Sequence, residues 1–257
     1  MSNRKIKRIF SELKELEKSV DLFTNSGIHY HYNEENIDIV YIMIIGPENT
    51  PYENGFYFFK LEYPDNYPMT PPKMNYCTQG ILPSYNGKSN SKNESYFKVR
   101  FNPNLYTNEK VCLSMLNTWN GPGWVPTNTI TNILVALQAL VLNEEPLRNE
   151  PGYEHSNEDD INKYNDIINY ANVKISILDQ LKNKNLGIFE CFRDKMEEIY
   201  LNNIDNYKNT LEKINKIDKN IITSPAYAMN LQIDYKNLFN YFQIMKCKLM
   251  IKNKNLK

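Results

Sequence analysis

Cysteine and histidine are the side chains of this sequence whose chemistry is easiest to place. A thiolate is a nucleophile, and an imidazole can act as a base or a metal ligand. The four cysteines form no Cys-x-x-Cys pair, so neither a disulfide scaffold nor a structural zinc site is expected. Cys77, Cys191 and Cys247 fall in predicted strands or helices, where we expect core or partly buried thiols. Cys112 lies in a segment without regular periodicity, and is either a small buried hydrophobic residue or a nucleophile.

The histidines indicate neither a metal site nor a local base. His29 and His31 alternate in a predicted strand and would face the same side, but no third ligand accompanies them. No histidine lies within ten residues of Cys112, so the nucleophile–base couple of a cysteine hydrolase is not evident. We therefore expect no metal and no organic cofactor.

Five short motifs occur in a fixed order along the chain. They are Gly46–Pro47 with Thr50–Pro51–Tyr52, Tyr67–Pro68 with Pro71–Pro72, Pro103–Asn104, Val111–Cys112–Leu113, and Trp124–Val125–Pro126. Each motif alone is weak, but their order and spacing resemble the ubiquitin-conjugating enzymes, the second enzymes of the ubiquitin cascade. The resemblance spans roughly Ile6 to Glu154. It implies an α+β ubiquitin-conjugating fold, with an N-terminal helix, a four-stranded antiparallel meander, an active-site segment and C-terminal helices.

Further stretches are similar to the Z type of this family. They are Phe101–Asn104, Asn117–Trp124 and Asn149–Glu154. The family's His-Pro-Asn tripeptide has Asn102 in place of its histidine here, as the Z type also has. That histidine is chiefly structural in the family, so this departure implies little loss of activity.

The resemblance implies a reaction for the active-site segment. Cys112 would accept the C-terminus of ubiquitin or a ubiquitin-like modifier as a thioester and pass it to a substrate lysine or another thiol. The amide of Asn104 would either stabilise the oxyanion formed during the attack or hold the surrounding loop. Glu150, or its neighbour Asn149, lies near the position of an acidic residue that in the family often helps the incoming amine lose its proton, and Glu150 is the candidate. Its alternative role is an ordinary solvated charge.

The resemblance also implies partner surfaces. In the family the activating enzyme, which consumes ATP, and the ubiquitin ligases bind overlapping ground on the first helix and two loops. The matching residues are Arg4, Lys5, Lys7 and Arg8 on the helix, Met69 in the Pro-rich loop, and Val125 and Pro126 in the later loop. The alternative for the basic helix edge is a solvated face without a partner.

Periodicity predicts the elements that position these residues. Apolar residues recur at helical spacing from Ile6 to Phe23 and from Thr127 to Leu142. β-Branched and aromatic runs between them predict an antiparallel meander of four strands: Ile28–Tyr32, Asn36–Ile45, Gly55–Tyr63 and Lys73–Thr78. Gln79–Lys98 has no periodicity and is predicted to be an exposed, mobile insertion.

The chain continues with three helical patterns beyond Gly152, each with an apolar stripe that must be covered. These helices could cover one another or dock on the preceding residues. We predict a conjugating core domain of residues 1–155 and a helical C-terminal extension of residues 156–257 that packs on it.

The composition excludes several classes of protein. Thirty basic residues balance thirty acidic ones, which argues against a nucleic-acid binder that works by bulk charge. No apolar run is long enough to span a bilayer, and the N-terminus lacks a secretory signal. We expect a protein of the cytoplasm, the nucleus or both. The predicted function is ubiquitin conjugation. The alternatives are a carrier for a different ubiquitin-like modifier, or a catalytically silent binding module, against which the presence of Cys112 argues.

Overall fold

The computed structural model describes residues 3–84, 95–217 and 220–255. Its elements in chain order are α1 (Asn3–Lys18), α2 (Val20–Asn25), β1 (Ile28–Asn33), β2 (Asn36–Ile45), β3 (Phe56–Glu62), β4 (Lys73–Tyr76), β5 (Ile81–Ser84), β6 (Ser95–Lys98), α3 (Ile130–Ala136), α4 (Glu158–Ala171), α5 (Gln180–Lys182), α6 (Arg193–Asn202), α7 (Ile204–Asn215), β7 (Ile221–Thr223), β8 (Asn230–Gln232) and α8 (Tyr235–Asn255). Wider π-helical turns continue α3 through Leu137–Val141 and α4 through Asn172–Asp179. Short 3₁₀ turns lie at Ser114–Leu116, Pro146–Asn149 and Gly187–Phe192. None of the described helices is both long and apolar enough to cross a membrane.

The predicted meander is confirmed. β1, β2, β3 and β4 form one antiparallel sheet in chain order. Their bounds differ from the predicted runs by at most two residues at each end, since turn residues bound these β-branched and aromatic runs. The predicted first helix is divided, because the chain bends at Ser19 between α1 and α2.

Strand β3 is buried along most of its length, so both faces of the sheet are covered. Tyr57 points towards the active-site segment, with its ring 5.8 Å from the ring of Phe101. Phe58 points the opposite way and stacks on Phe189, with ring centroids 4.7 Å apart. Because Phe189 belongs to the C-terminal extension, the extension covers the face of the sheet that the first half of the chain leaves open.

A second sheet, in the order β6-β5-β8-β7, was not predicted. It pairs strands of the insertion with strands of the extension, through Ser84 opposite Leu231. Its strands have only three or four residues, and Pro83 interrupts the β-forming pattern. Local propensity therefore does not predict these strands, which form because distant segments of the chain pair with each other. The extension is therefore not purely helical. Of the insertion, residues 85–94 lie outside the described residues.

Candidate active site

The active-site segment folds back on itself so that Cys112 lies beside Asn104. Bridges between Asn102 and Leu105 and between Leu105 and Val111 form this turn. The backbone N–H of Cys112 donates to the carbonyl oxygen of Asn104 at 2.8 Å. Cys112 is only 1% exposed.

The side chain of Asn104 is hydrogen-bonded to the cysteine's own backbone. Its Nδ2 donates to the carbonyl oxygen of Cys112 at 2.7 Å, and its backbone N–H donates to Oδ1 of Asn102 at 2.8 Å. In this geometry Asn104 holds the loop. Oxyanion stabilisation, the other predicted role, requires the amide to exchange the carbonyl for the reacting oxygen.

Asn102, which stands where the family has histidine, is fully buried. Its Nδ2 donates to the carbonyl oxygen of Val141 at 2.6 Å and to the hydroxyl of Tyr52 at 3.0 Å. The Tyr52 hydroxyl in turn donates to the carbonyl oxygen of Phe101 at 2.7 Å. The asparagine therefore ties the active-site segment to the end of the α3 helix, which is a structural role.

Thr118 also belongs to this site, although no motif of the sequence indicates its role. Its hydroxyl donates to the carbonyl oxygen of Val111 at 2.8 Å and accepts the backbone N–H of Leu113 at 3.0 Å. These two residues flank Cys112, so one hydroxyl fixes the backbone on both sides of the thiol. A threonine in an irregular segment indicates a hydrogen bond to nearby backbone, but the sequence does not indicate which backbone groups take part.

Glu150 has a partner in the extension. Its carboxylate accepts a hydrogen bond from the hydroxyl of Tyr227. Burial raises the pKa of Tyr227, and the Glu150 carboxylate raises it further, so the tyrosine keeps its proton. Glu150 is therefore not the solvated charge of the alternative interpretation, and its service as a base requires Tyr227 to release it.

The other cysteines differ from Cys112 in their surroundings. Cys77 is half-buried as expected, and burial raises its pKa to about 11. Cys191 and Cys247 are exposed, so the expectation of partly buried thiols is wrong for both. They lie on outward positions of the extension, where helical periodicity alone does not fix the direction of a small side chain.

The basic edge of α1 is only partly exposed. Arg4 and Lys7 face solvent. Lys5 is 1% exposed, and its ammonium pairs with Asp38 at 2.8 Å. Arg8 donates to the carbonyl oxygen of Asn128 at 2.8 Å. The expectation of a solvent-facing edge is therefore corrected for Lys5 and Arg8, because both cations are used inside the fold.

The two predicted docking loops lie side by side. Met69 is 55% exposed, Val125 is 50% exposed and Pro126 is exposed. The indole N–H of Trp124 donates to the carbonyl oxygen of Pro68 at 2.7 Å, which joins the two loops. The three predicted contact residues thus share one surface, and their role in binding a partner stays a prediction.

A buried carboxylate, Glu12, organises the same region and was not singled out from sequence. It accepts the backbone N–H of Ile130 at 2.9 Å, the first residue of α3. It also accepts the hydroxyl of Tyr67 and the guanidinium of Arg8. One side chain of α1 therefore fixes the Pro-rich loop and the start of α3. In an amphipathic helix, the sequence does not distinguish a buried glutamate such as Glu12 from an exposed one.

Comparison with known proteins agrees with this architecture. The family model for "Ubiquitin-conjugating enzyme" matches residues 8–172. The dual E2 ubiquitin-conjugating enzyme/E3 ubiquitin-protein ligase BIRC6 of Homo sapiens is 36% identical over 214 residues, which are 79% of this chain and 4% of that protein. Ubiquitin-conjugating enzyme E2 Z of Danio rerio is 31% identical over 211 residues, which are 82% of this chain and 59% of that protein.

The matched region contains Cys112, Asn104 and Glu150, and it runs on into the extension as far as Asn172. The chain spans less than two thirds of these relatives' length. The family model covers most of α1, the whole meander and the active-site segment. The chain therefore belongs to the ubiquitin-conjugating enzyme family and is similar to its Z type.

Proposed function

We propose that this protein accepts ubiquitin, or a ubiquitin-like modifier, from an activating enzyme as a thioester on Cys112. It then passes the acyl group to a substrate lysine or to the cysteine of a ligase. The observation that carries the proposal is the position of Cys112, which is held between the hydrogen bonds of Asn104 and Thr118 within the matched region.

Each step exchanges one acyl bond for another. The Cys112 thiolate attacks the thioester carbonyl on the activating enzyme, and the enzyme's thiolate leaves, so one thioester replaces the other. A lysine amine then attacks the new carbonyl, Cys112 leaves as thiolate, and the amine loses a proton as the amide forms. Asn104 and Glu150 are the groups proposed to assist the second step, one at the oxyanion and one at the proton.

The partners follow from this activity: the modifier, an activating enzyme, ligases and protein substrates. Arg4, Lys7, Met69, Val125 and Pro126 are the exposed residues proposed for contact with the activating enzyme and ligases. We place the protein in the cytoplasm, the nucleus or both, where cysteines stay reduced.

We also propose that the C-terminal extension folds together with the core. Phe189 packs on the sheet, and β8 pairs with β5 across the two parts. One continuous apolar core contains residues of both parts.

A charging assay tests the proposed function. The protein is incubated with activating enzyme, ATP and, in separate reactions, ubiquitin and other ubiquitin-like modifiers. We expect an adduct that a thiol reductant cleaves. Cys112→Ser should give a hydroxide-labile ester or no adduct, whereas the exposed-thiol variant Cys247→Ser should charge normally. A thiol-labile adduct on Cys112→Ser contradicts the proposal, as does no adduct with any modifier.

A further inference from the structure

A tyrosine of the extension reaches the active-site segment. Tyr227 lies in the turn between β7 and β8, and this turn includes two consecutive residues with positive φ, 63° at Tyr227 and 51° at Ala228. Its hydroxyl donates to Glu150, and its ring lies against the guanidinium of Arg100, 4.9 Å from Cζ to the ring centroid. One side chain therefore contacts two residues of the conjugating core.

Arg100 links Tyr227 to the backbone of the active-site segment. Its guanidinium donates to the carbonyl oxygens of Asn102 at 3.2 Å and Pro103 at 2.7 Å. The ring of Tyr106 lies 3.4 Å from its Cζ. Arg100 is 9% exposed, so its charge is stabilised largely by these carbonyls and by the two tyrosine rings.

The constrained residues come directly before Asn104. The carbonyls that Arg100 holds belong to the two preceding peptide units, and Asn104 pairs with Cys112 through both its backbone and its amide. The position of the Arg100 guanidinium therefore helps to fix where the Asn104 amide lies beside the backbone of Cys112.

We propose that Tyr227 is a positioning residue for acyl transfer, acting through Arg100 on Asn104, so that the extension is part of the active site. This inference rests on the proposed conjugating function. The ring and the hydroxyl have separable tasks: the ring holds Arg100, and the hydroxyl holds Glu150.

The extension keeps its place without the Tyr227 ring, which makes the proposal testable. The hydroxyl of Tyr164 donates to the carbonyl oxygen of Arg100 at 2.6 Å, and the hydroxyl of Tyr153 donates to the carbonyl oxygen of Pro225 at 2.8 Å. The backbone N–H of Arg100 lies 3.3 Å from the sulfur of Met229. Loss of the ring should therefore remove one of the contacts that hold the guanidinium, while the surrounding backbone stays anchored.

The test measures discharge of preloaded Cys112 to free lysine in single turnovers across a lysine concentration series. Tyr227→Leu should lower the maximal rate about 3- to 30-fold, equivalent to about 0.6–2 kcal/mol at 1.36 kcal/mol per decade, with the half-saturating lysine concentration unchanged. Tyr227→Phe keeps the ring and should restore at least half of the maximal rate.

Two further variants separate positioning from general loosening. Tyr241 also contacts cations through its ring, those of Lys174 and Lys182 at 5.2 and 5.1 Å, so Tyr241→Leu is the matched control and should discharge normally. Arg100→Lys should slow discharge. Adding Tyr227→Leu to it should slow discharge no more than adding Tyr227→Phe does, because the ring acts through the arginine. Equal rates for Tyr227→Leu and Tyr241→Leu, or additive losses in the double variant, overturn the proposal.

Alkylation of the Cys112 thiol gives a second readout that needs no modifier. Iodoacetamide labelling of the Cys112 peptide, measured by mass spectrometry against exposed Cys247 in the same chain, should accelerate at least threefold in Tyr227→Leu and stay unchanged in Tyr227→Phe. If the wild-type protein does not charge, the proposed function fails, and this labelling still decides whether Tyr227 orders the site. Unchanged labelling in Tyr227→Leu overturns the positioning role.

Discussion

Asn172 provides a direct test of whether the extension and the core unfold as one unit. It is buried in the π-helical continuation of α4, where its Oδ1 accepts the hydroxyl of Tyr57 at 2.7 Å and its Nδ2 donates to the carbonyl oxygen of Glu53 at 2.9 Å. A Cβ added at Gly55 would lie 1.9 Å from that Oδ1, so glycine is the residue that permits this approach. The amide thus joins the core turn before β3 to the extension.

The expected effect of Asn172→Ala follows from these two bonds. Loss of the bond to Glu53 costs about 1 kcal/mol, and depriving the buried Tyr57 hydroxyl of its Asn172 partner costs about 1–3 kcal/mol, so the free energy of unfolding should fall by about 2–4 kcal/mol. In a chain of this size each kcal/mol lowers the melting temperature by about 2–4 °C. We therefore expect a decrease of about 4–16 °C in a single transition.

Calorimetry and urea unfolding measure this effect. Asn162→Ala removes an exposed asparagine of α4 and should change stability by less than about 0.5 kcal/mol. Tyr57→Phe removes the same bond from the core side, so the double variant should lose less than the sum of the two single losses. If Asn172→Ala matches Asn162→Ala, or splits the unfolding into two transitions with that of the core unmoved, the reasoning is refuted.

Three further predictions concern charge. Asn104→Asp should slow lysine discharge from preloaded Cys112 by about 100-fold or more, since a carboxylate repels an oxyanion, whereas Asn104→Ser should slow it less if the residue only holds the loop. Reversing Arg4 and Lys7 to Glu should slow charging by the activating enzyme and change stability little, because both are exposed. Burial lowers the pKa of His29 to about 4, so the folded state favours its neutral form and stability falls with pH below about 6.5. Between pH 7 and pH 5 the free energy of unfolding, measured with urea, should fall by about 2 kcal/mol because of His29, and His29→Gln should abolish this part of the decrease.

Each of these predictions has a defined contrary result. If discharge by the Asn104 variants falls only in proportion to lost folded protein, the residue is structural. The double reversal Lys213→Glu with Lys236→Glu carries the same charge change on exposed positions of the extension, and an equal slowing there argues against an interface on α1. If the stability of His29→Gln depends on pH as that of the wild type does, other groups cause the loss of stability at acidic pH.

The local sequence pattern predicted the four strands of the meander. Contacts between distant residues determine features that it did not predict, such as the burial of Lys5 and the strands β5 and β8. The meander was predictable because β-branched and aromatic runs mark the strands and turn residues mark their ends. The burial of Lys5 was not, since its carboxylate partner Asp38 lies on another element. The short strands β5 and β8 become strands only by pairing across the chain. At the site, Cys112 was identified by resemblance, whereas Thr118 and Tyr227 gain their roles from backbone groups and side chains that spacing does not reveal.

The face of the sheet covered by Phe189 has a consequence for synthesis on the ribosome. Phe58 is translated about 130 residues before Phe189, which at about 5–20 residues per second is an interval of roughly 7–26 s. Once β4 has been translated, the four strands of the meander can pair, but the face around Phe58 still lacks the cover that Phe189 supplies. Nascent chains of this protein should therefore depend on chaperones that shield apolar surface until α6 has emerged, and slowing translation between the two phenylalanines should increase aggregation.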